Sequence, residues 1–163
     1  MIIIGIDPGT ATTGYGIIKV KNVQLKTRDN FKCLDYGTIK TSPTLPAAER
    51  LKIINNKLSK LISKHQPKVL AVENVFFFKN LKTAMPVSQA KGVILLTAAK
   101  KSVPVYEFSP LQVKMAVTGS GKAEKKHVGK KIKSLFGLKD IPRPDDAADA
   151  LAIALAYIFV KRA

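Results

Sequence analysis

The chain has 163 residues, 46% of them hydrophobic, which suits a single domain spanning 1–163 with a substantial core and excludes global disorder. Its 28 Lys+Arg against 11 Asp+Glu give a formal net charge of +17, so a polyanion is the expected partner, nucleic acid foremost. General lysine enrichment fits less well, because thermophilic bias raises glutamate along with lysine. No apolar run approaches the ~20 residues of a membrane helix. Met1 leads straight into an apolar run without a basic leader, so no secretion signal is expected. The single cysteine, Cys33, leaves no internal disulfide, and a cytoplasmic location follows as the expectation.

In chain order, Ile2, Ile3, Ile4 and Ile6 predict a buried strand that ends near Asp7. Pro8-Gly9-Thr10 supplies a turn, and Thr12 to Val20 predicts a second strand in which Gly14 and Gly16 permit close backbone approach. Phe31 to Thr41 predicts a third, the three forming an antiparallel meander. Leu51, Ile54, Leu58, Leu61 and Ile62 share one face of a helix over Ala47 to His65. Lys68 to Phe76 then reads as a strand, added in parallel by a crossover. Leu81 to Lys101 reads as a helix despite Pro86, with Val93, Leu96 and Thr97 on one side; this apolar side is either core or an interface. Val103 to Phe108 is a short fifth strand. Ser109-Pro110 caps a short helix through Ala116, and Lys122 to Phe136 is a lysine-rich helix ended by Gly137. A final apolar helix runs from about Asp145 to Lys161. The order β-β-β-α-β-α-β-α-α-α describes an α/β fold with a mixed five-stranded sheet flanked by helices.

Carboxylates are scarce, so their placement carries information. Asp7, Glu73 and the segment Asp145-Asp146-Ala147-Ala148-Asp149 all sit within or at the ends of apolar elements. Asp7 is either an Asx-type cap of its turn or a functional acid. Asp146 and Asp149 share a helical face, but so do Asp145 and Asp149, and spacing does not choose between them. Converging carboxylates repel one another, and a divalent cation resolves that conflict. Oxygen-only ligands favour Mg²⁺ or Mn²⁺ over zinc. His65 and His127 lie in lysine-rich helices and read as solvated surface residues. A basic chain with a carboxylate metal cluster suggests two-metal phosphodiester hydrolysis.

Three blocks then carry a resemblance: Ile4-Gly-Ile-Asp7-Pro-Gly-Thr with Thr13-Gly-Tyr-Gly, Val72-Glu73-Asn74-Val75-Phe76, and Asp146-Ala-Ala-Asp149-Ala-Leu-Ala-Ile-Ala. Together with Gln89-Ala90-Lys91-Gly92-Val93, Gln112-Val113-Lys114 and Gly121-Lys-Ala-Glu-Lys125, they resemble the bacterial RuvC Holliday-junction resolvase family over nearly the whole chain. The resemblance implies a ribonuclease-H-like fold and a homodimer. It also implies Mg²⁺-dependent paired nicking of four-way DNA junctions in recombination and repair, in company with a branch-migration motor. By motif, Asp7, Glu73, Asp146 and Asp149 would be the catalytic carboxylates that bind two Mg²⁺ ions, with Mn²⁺ able to substitute; Asp146 rather than Asp145 takes the family position. Lys114, Lys122 and Lys125 would engage DNA, and Phe76 would stack on bases at the opened junction. Phe76, Phe77 and Phe78 are consecutive, so in an extended segment they cannot all face one core. Asn74 and Lys122 depart from the expected residue types, and the chain stops at Ala163 without the longer basic tail of some members.

Two other readings compete. A non-catalytic junction-binding protein would bind without nicking, but every expected carboxylate is present. A phosphate-binding ATPase of the actin and hexokinase type shares the Asp7-Pro-Gly-Thr loop, but needs a second such domain, for which 163 residues leave no room.

Overall fold

The computed structural model describes residues 1–22, 30–74 and 81–160. Within them the elements follow the expected order: β1 (Ile2–Asp7), β2 (Thr12–Val20), β3 (Phe31–Lys40), α1 (Ala47–His65), β4 (Val69–Glu73), α2 (Leu81–Lys100), β5 (Val105–Phe108), α3 (Pro110–Thr118), α4 (Lys125–Phe136) and α5 (Asp145–Val160). The strands make one five-stranded sheet in the order β3-β2-β1-β4-β5. β1, β2 and β3 pair antiparallel, as expected of a meander. β4 runs parallel to β1, and β5 parallel to β4. Each parallel pairing is reached through a helix, as parallel connections require.

The sheet is covered on both faces, which explains why its inner strands are apolar without alternation. Ile3, Ile18 and Ala71 face one core, filled mainly by α3, α4 and α5. Ile4, Ile6, Ile17, Leu70 and Val72 face the other, filled by α1 and α2. Side chains alternate along a strand, so Ile3 assigns Gly5 and Asp7 to the α5 face, and Ala71 assigns Glu73 to the same face. No described helix is long and apolar enough to cross a membrane.

Several local expectations are corrected. β5 begins at Val105, because Pro104 has no N–H to extend the ladder. α3 continues to Thr118 before Gly119 ends it at φ 79°. α4 begins at Lys125, so Lys122 lies in the preceding turn, where the Ala123 N–H donates to the Ser120 carbonyl. His65 is not a solvated surface residue: its side chain is 12% exposed and its Nε2 lies 3.5 Å from Asp35 Oδ2. The left-handed residue Gln66 (φ 47°) ends the helix there, its N–H donating to the Ile62 carbonyl. Nor do Val93, Leu96 and Thr97 share one environment. Thr97 is buried with its hydroxyl 2.9 Å from Asn55 of α1, Val93 packs against the core, and Leu96 is 53% exposed. Phe76, Phe77 and Phe78 lie outside the described residues, as does the end of the expected fourth strand.

Candidate active site

The site is built by letting one helix lie directly on the sheet. Along the α5 face, β1 and β2 present Gly5, Gly14 and Gly16, where other positions carry branched side chains. A Cβ on Gly5 would stand 2.1 Å from the Ala150 carbonyl oxygen, and one on Gly14 would stand 2.1 Å from that of Asp146. No real contact is that short, so the helix occupies the space that side chains would take. α5 answers with its own small residues: Ala147, Ala148, Ala150, Ala152, Ala154 and Ala156 are all buried. The seat has a functional result. Gly14 is the register partner of Asp7, so the α5 backbone resting on Gly14 delivers Asp146 to the neighbourhood of Asp7.

Glu73 arrives from the other side. Ile6 pairs with Val72 in parallel register, and one residue further along each strand come Asp7 and Glu73. Both end their strands and both face α5. Asp145, the alternative to Asp146, is instead exposed and ion-paired with Arg143. Asp146 and Asp149 are the helix carboxylates whose charge is felt at Asp7.

The electrostatics record this convergence. The Asp7 carboxyl is raised from 3.8 to about 8, first by burial and then by the charges of Glu73, Asp149 and Asp146. Lys125 is the cation that opposes the shift. Its Nζ donates to Asp149 Oδ2 at 2.9 Å, and that hydrogen bond leads the causes that raise the lysine. Among the described residues no three acidic, histidine or cysteine side chains stand close enough to grip a metal ion as they are. The charges of Glu73, Asp149 and Asp146 are still felt at Asp7, and like charges that share a site repel. Their chemistry nevertheless fits a hard divalent cation: the donors are all oxygen, they come from rigid elements, and ionising Asp7 among them is costly unless positive charge is supplied.

Beside the acids lies a cleft of about 550 Å³, lined by Asp7, Glu73, Asn74, Val87, Leu111 and Lys114 among others. Lys114 is thus placed at the cleft. It rides on α3, whose start is fixed by a reciprocal cap between Ser109 and Gln112. Lys125 meets the acids through Asp149. Lys122 is exposed in the turn before α4, with no contact to these acids among the described residues. Phe76 is outside the described residues. The turn after Asp7 spends its hydroxyls internally: Thr10 donates to the Pro86 carbonyl at 2.7 Å, and Thr13 to that of Gly9 at 2.6 Å. These hydrogen bonds brace the turn.

One residue had been given no role. Lys91 of α2, with its side chain only 15% exposed, donates to Asn74 Oδ1 at 2.7 Å and pairs with Glu107. It thereby ties the chain just after Glu73 to β5. A lysine within an apolar stretch of helix was the signal, since a nearly buried ammonium demands acceptors.

The comparisons with known proteins agree with this architecture. The family described as crossover junction endodeoxyribonuclease RuvC matches residues 3–157. A protein of that description from Caldicellulosiruptor saccharolyticus is 49% identical over 97% of this chain and 92% of its own length. Another from Alkaliphilus metalliredigens is 50% identical over 96% and 92%. Among solved structures, Thermus thermophilus RuvC in complex with a Holliday junction substrate superposes with a TM-score of 0.91 at 40% identity, covering 99% of this chain and 95% of that one. The yeast mitochondrial Holliday junction resolvase shares the fold, with a TM-score of 0.65 at 12% identity. The fold is ribonuclease-H-like, and with its glycine-seated final helix, its strand-end acids and its match from residue 3 to residue 157, the chain belongs to the RuvC family of crossover junction endodeoxyribonucleases.

Proposed function

We propose that this chain resolves four-way DNA junctions by paired symmetric nicks, using Asp7, Glu73, Asp146 and Asp149 as its catalytic and metal-holding carboxylates. The observation that carries the reading is their convergence on one face of the sheet, in a chain of net charge +17. The chemistry supplied when divalent cations are bound (Mg²⁺, two per site, with Mn²⁺ able to substitute) is activation of the attacking water and stabilisation of the leaving oxygen. The chain's own residues do the rest. Asp7 and Glu73 offer oxygens from rigid strand ends, and Asp146 and Asp149 offer theirs from the first turns of α5. Lys114 and Lys125 neutralise phosphates beside the acids, and Lys122, exposed in the turn before α4, would meet the backbone further out. Phe76 would stack on an unpaired base. Asp7→Asn should abolish Mg²⁺-dependent cleavage of a synthetic four-way junction while leaving binding in place; equal cutting by both proteins would sink the site.

A two-fold junction suits a two-fold enzyme, so the working form is proposed to be a homodimer. The support is a stripe on α2. Met85, Gln89, Gly92 and Leu96 are all exposed at spacings of three and four, Met85 at 69% and Leu96 at 53%. A Cβ on Gly92 would meet nothing within 4 Å, which leaves room for a second helix. Leu96→Glu should shift the sedimentation profile to monomer and uncouple the two nicks; an unchanged profile would place the interface elsewhere. The chain is further proposed to act as one domain over 1–163, in the cytoplasm, alongside a branch-migration motor of the same pathway.

A further inference from the structure

The Lys125–Asp149 contact has a direction of use. Lys125 opens α4, and its ammonium sits 2.9 Å from Asp149 Oδ2. The two partners are unequally free: the lysine side chain is 71% exposed, whereas that of Asp149 is 26% exposed. The long stem can therefore swing away without unpacking anything, and the acid, fixed on α5 beneath it, cannot follow. The same lysine is the cation that offsets the accumulated negative charge at Asp7. Positive charge at this point thus already occupies an oxygen assigned above to a metal ion.

We propose that Lys125 is an exchangeable counter-ion: it holds Asp149 until a divalent cation takes that oxygen, and the freed ammonium then passes to the DNA phosphate. This rests on the assignment of Asp149 as a metal ligand and adds a consequence to it. Lys125 competes with metal when DNA is absent and assists DNA binding once metal is present, so metal and junction binding become positively coupled through one side chain. Neighbouring lysines give the contrast. Lys130, one turn further along α4, is exposed and makes no ion pair with a carboxylate among the described residues.

The test compares wild type, Lys125→Met and Lys130→Met. Calorimetric titration of Mn²⁺ into the DNA-free protein should show Lys125→Met binding about threefold to fivefold more tightly, as release of an exposed ion pair allows. Lys130→Met should change by less than twofold. Anisotropy of a labelled four-way junction should then show Lys125→Met weakened less than twofold in EDTA and about fivefold or more in Ca²⁺. Equal weakening in both conditions, or unchanged Mn²⁺ affinity, would overturn the exchange. Absence of Mn²⁺ binding by the wild type would overturn the metal assignment, and the exchange with it. Tight Mn²⁺ binding without a Lys125 effect would overturn the exchange alone.

Discussion

Replacing Gly14 with alanine isolates the contact on which the site depends. The new Cβ would stand 2.1 Å from the Asp146 carbonyl oxygen and 2.6 Å from its carbon, and neither atom belongs to a flexible side chain. Tolerable contact begins near 3.0 Å, so the start of α5 must retreat by about 1 Å. Overpacking of this kind costs about 1–3 kcal/mol. For a chain of this size that lowers the melting temperature by about 3–10 °C. The chemical cost is larger, because a misplacement of about 1 Å at a catalytic group is worth on the order of 100-fold in rate. Gly16→Ala is the control. Its Cβ would strike Leu151, at 2.7 Å from the backbone nitrogen and 2.8 Å from Cγ, one helical turn deeper than Asp146. It should destabilise comparably but slow cleavage far less. Single-turnover junction cleavage in saturating Mg²⁺, read beside calorimetric melting of both variants, separates the two effects. Wild-type cleavage by a folded Gly14→Ala protein, or equal cleavage losses in both variants, would refute the claim that the Gly14 contact positions Asp146.

Other expectations follow from the site's charges and caps. Asp7 titrates near 8 when folded and near 3.8 in an unfolded chain, so its contribution to stability is fully present below about pH 4 and is lost as pH rises through about 8. In EDTA, the melting-temperature advantage of Asp7→Asn over wild type should therefore grow from pH 5 to pH 8.5; a constant difference would show that Asp7 is not buried among like charges. Ser109→Ala removes the hydroxyl that accepts from the Gln112 N–H, which should cost about 1 kcal/mol by thermal melting and weaken junction cleavage through Lys114. An unchanged melting point would mean that the cap is not stabilising α3. Lys91→Met strips a cation from Asn74 and Glu107. Because Glu107 is 40% exposed and can rehydrate, the loss should be about 1 kcal/mol, with slower cleavage as the chain after Glu73 loosens. Cleavage at the wild-type rate would deny Lys91 its bracing role.

The isoleucine run before Asp7 and the helical spacing of Leu51 to Ile62 carried the element order, because burial imprints its period on the chain. The acids themselves were legible, since carboxylates are rare here and stood out in apolar surroundings. Spacing alone left Asp145 level with Asp146. The difference is made by the Gly14 contact and by Arg143, which draws Asp145 outward. Contacts between residues distant in sequence leave no local period, and that is why Lys91 was given no role. His65 was misread for the same reason: its lysine-rich helix looks solvated, and the Asp35 beside it comes from β3, thirty residues earlier in the chain. Lys122 was placed in a helix because lysine spacing continues through it, whereas the Ser120–Ala123 turn delays the helix to Lys125.

The seating of α5 on β1 and β2 also sets when the enzyme becomes dangerous. A ribosome delivers Asp7 and Glu73 early, while Asp146 and Asp149 come on the last described helix. A chain still in synthesis therefore carries two of the four acids and an open glycine track, with nothing yet to hold a cut in place. On the proposed roles of these acids, competence to break DNA arrives only with the segment that also closes the core, so a truncated or half-made copy would not cleave what a finished one would resolve.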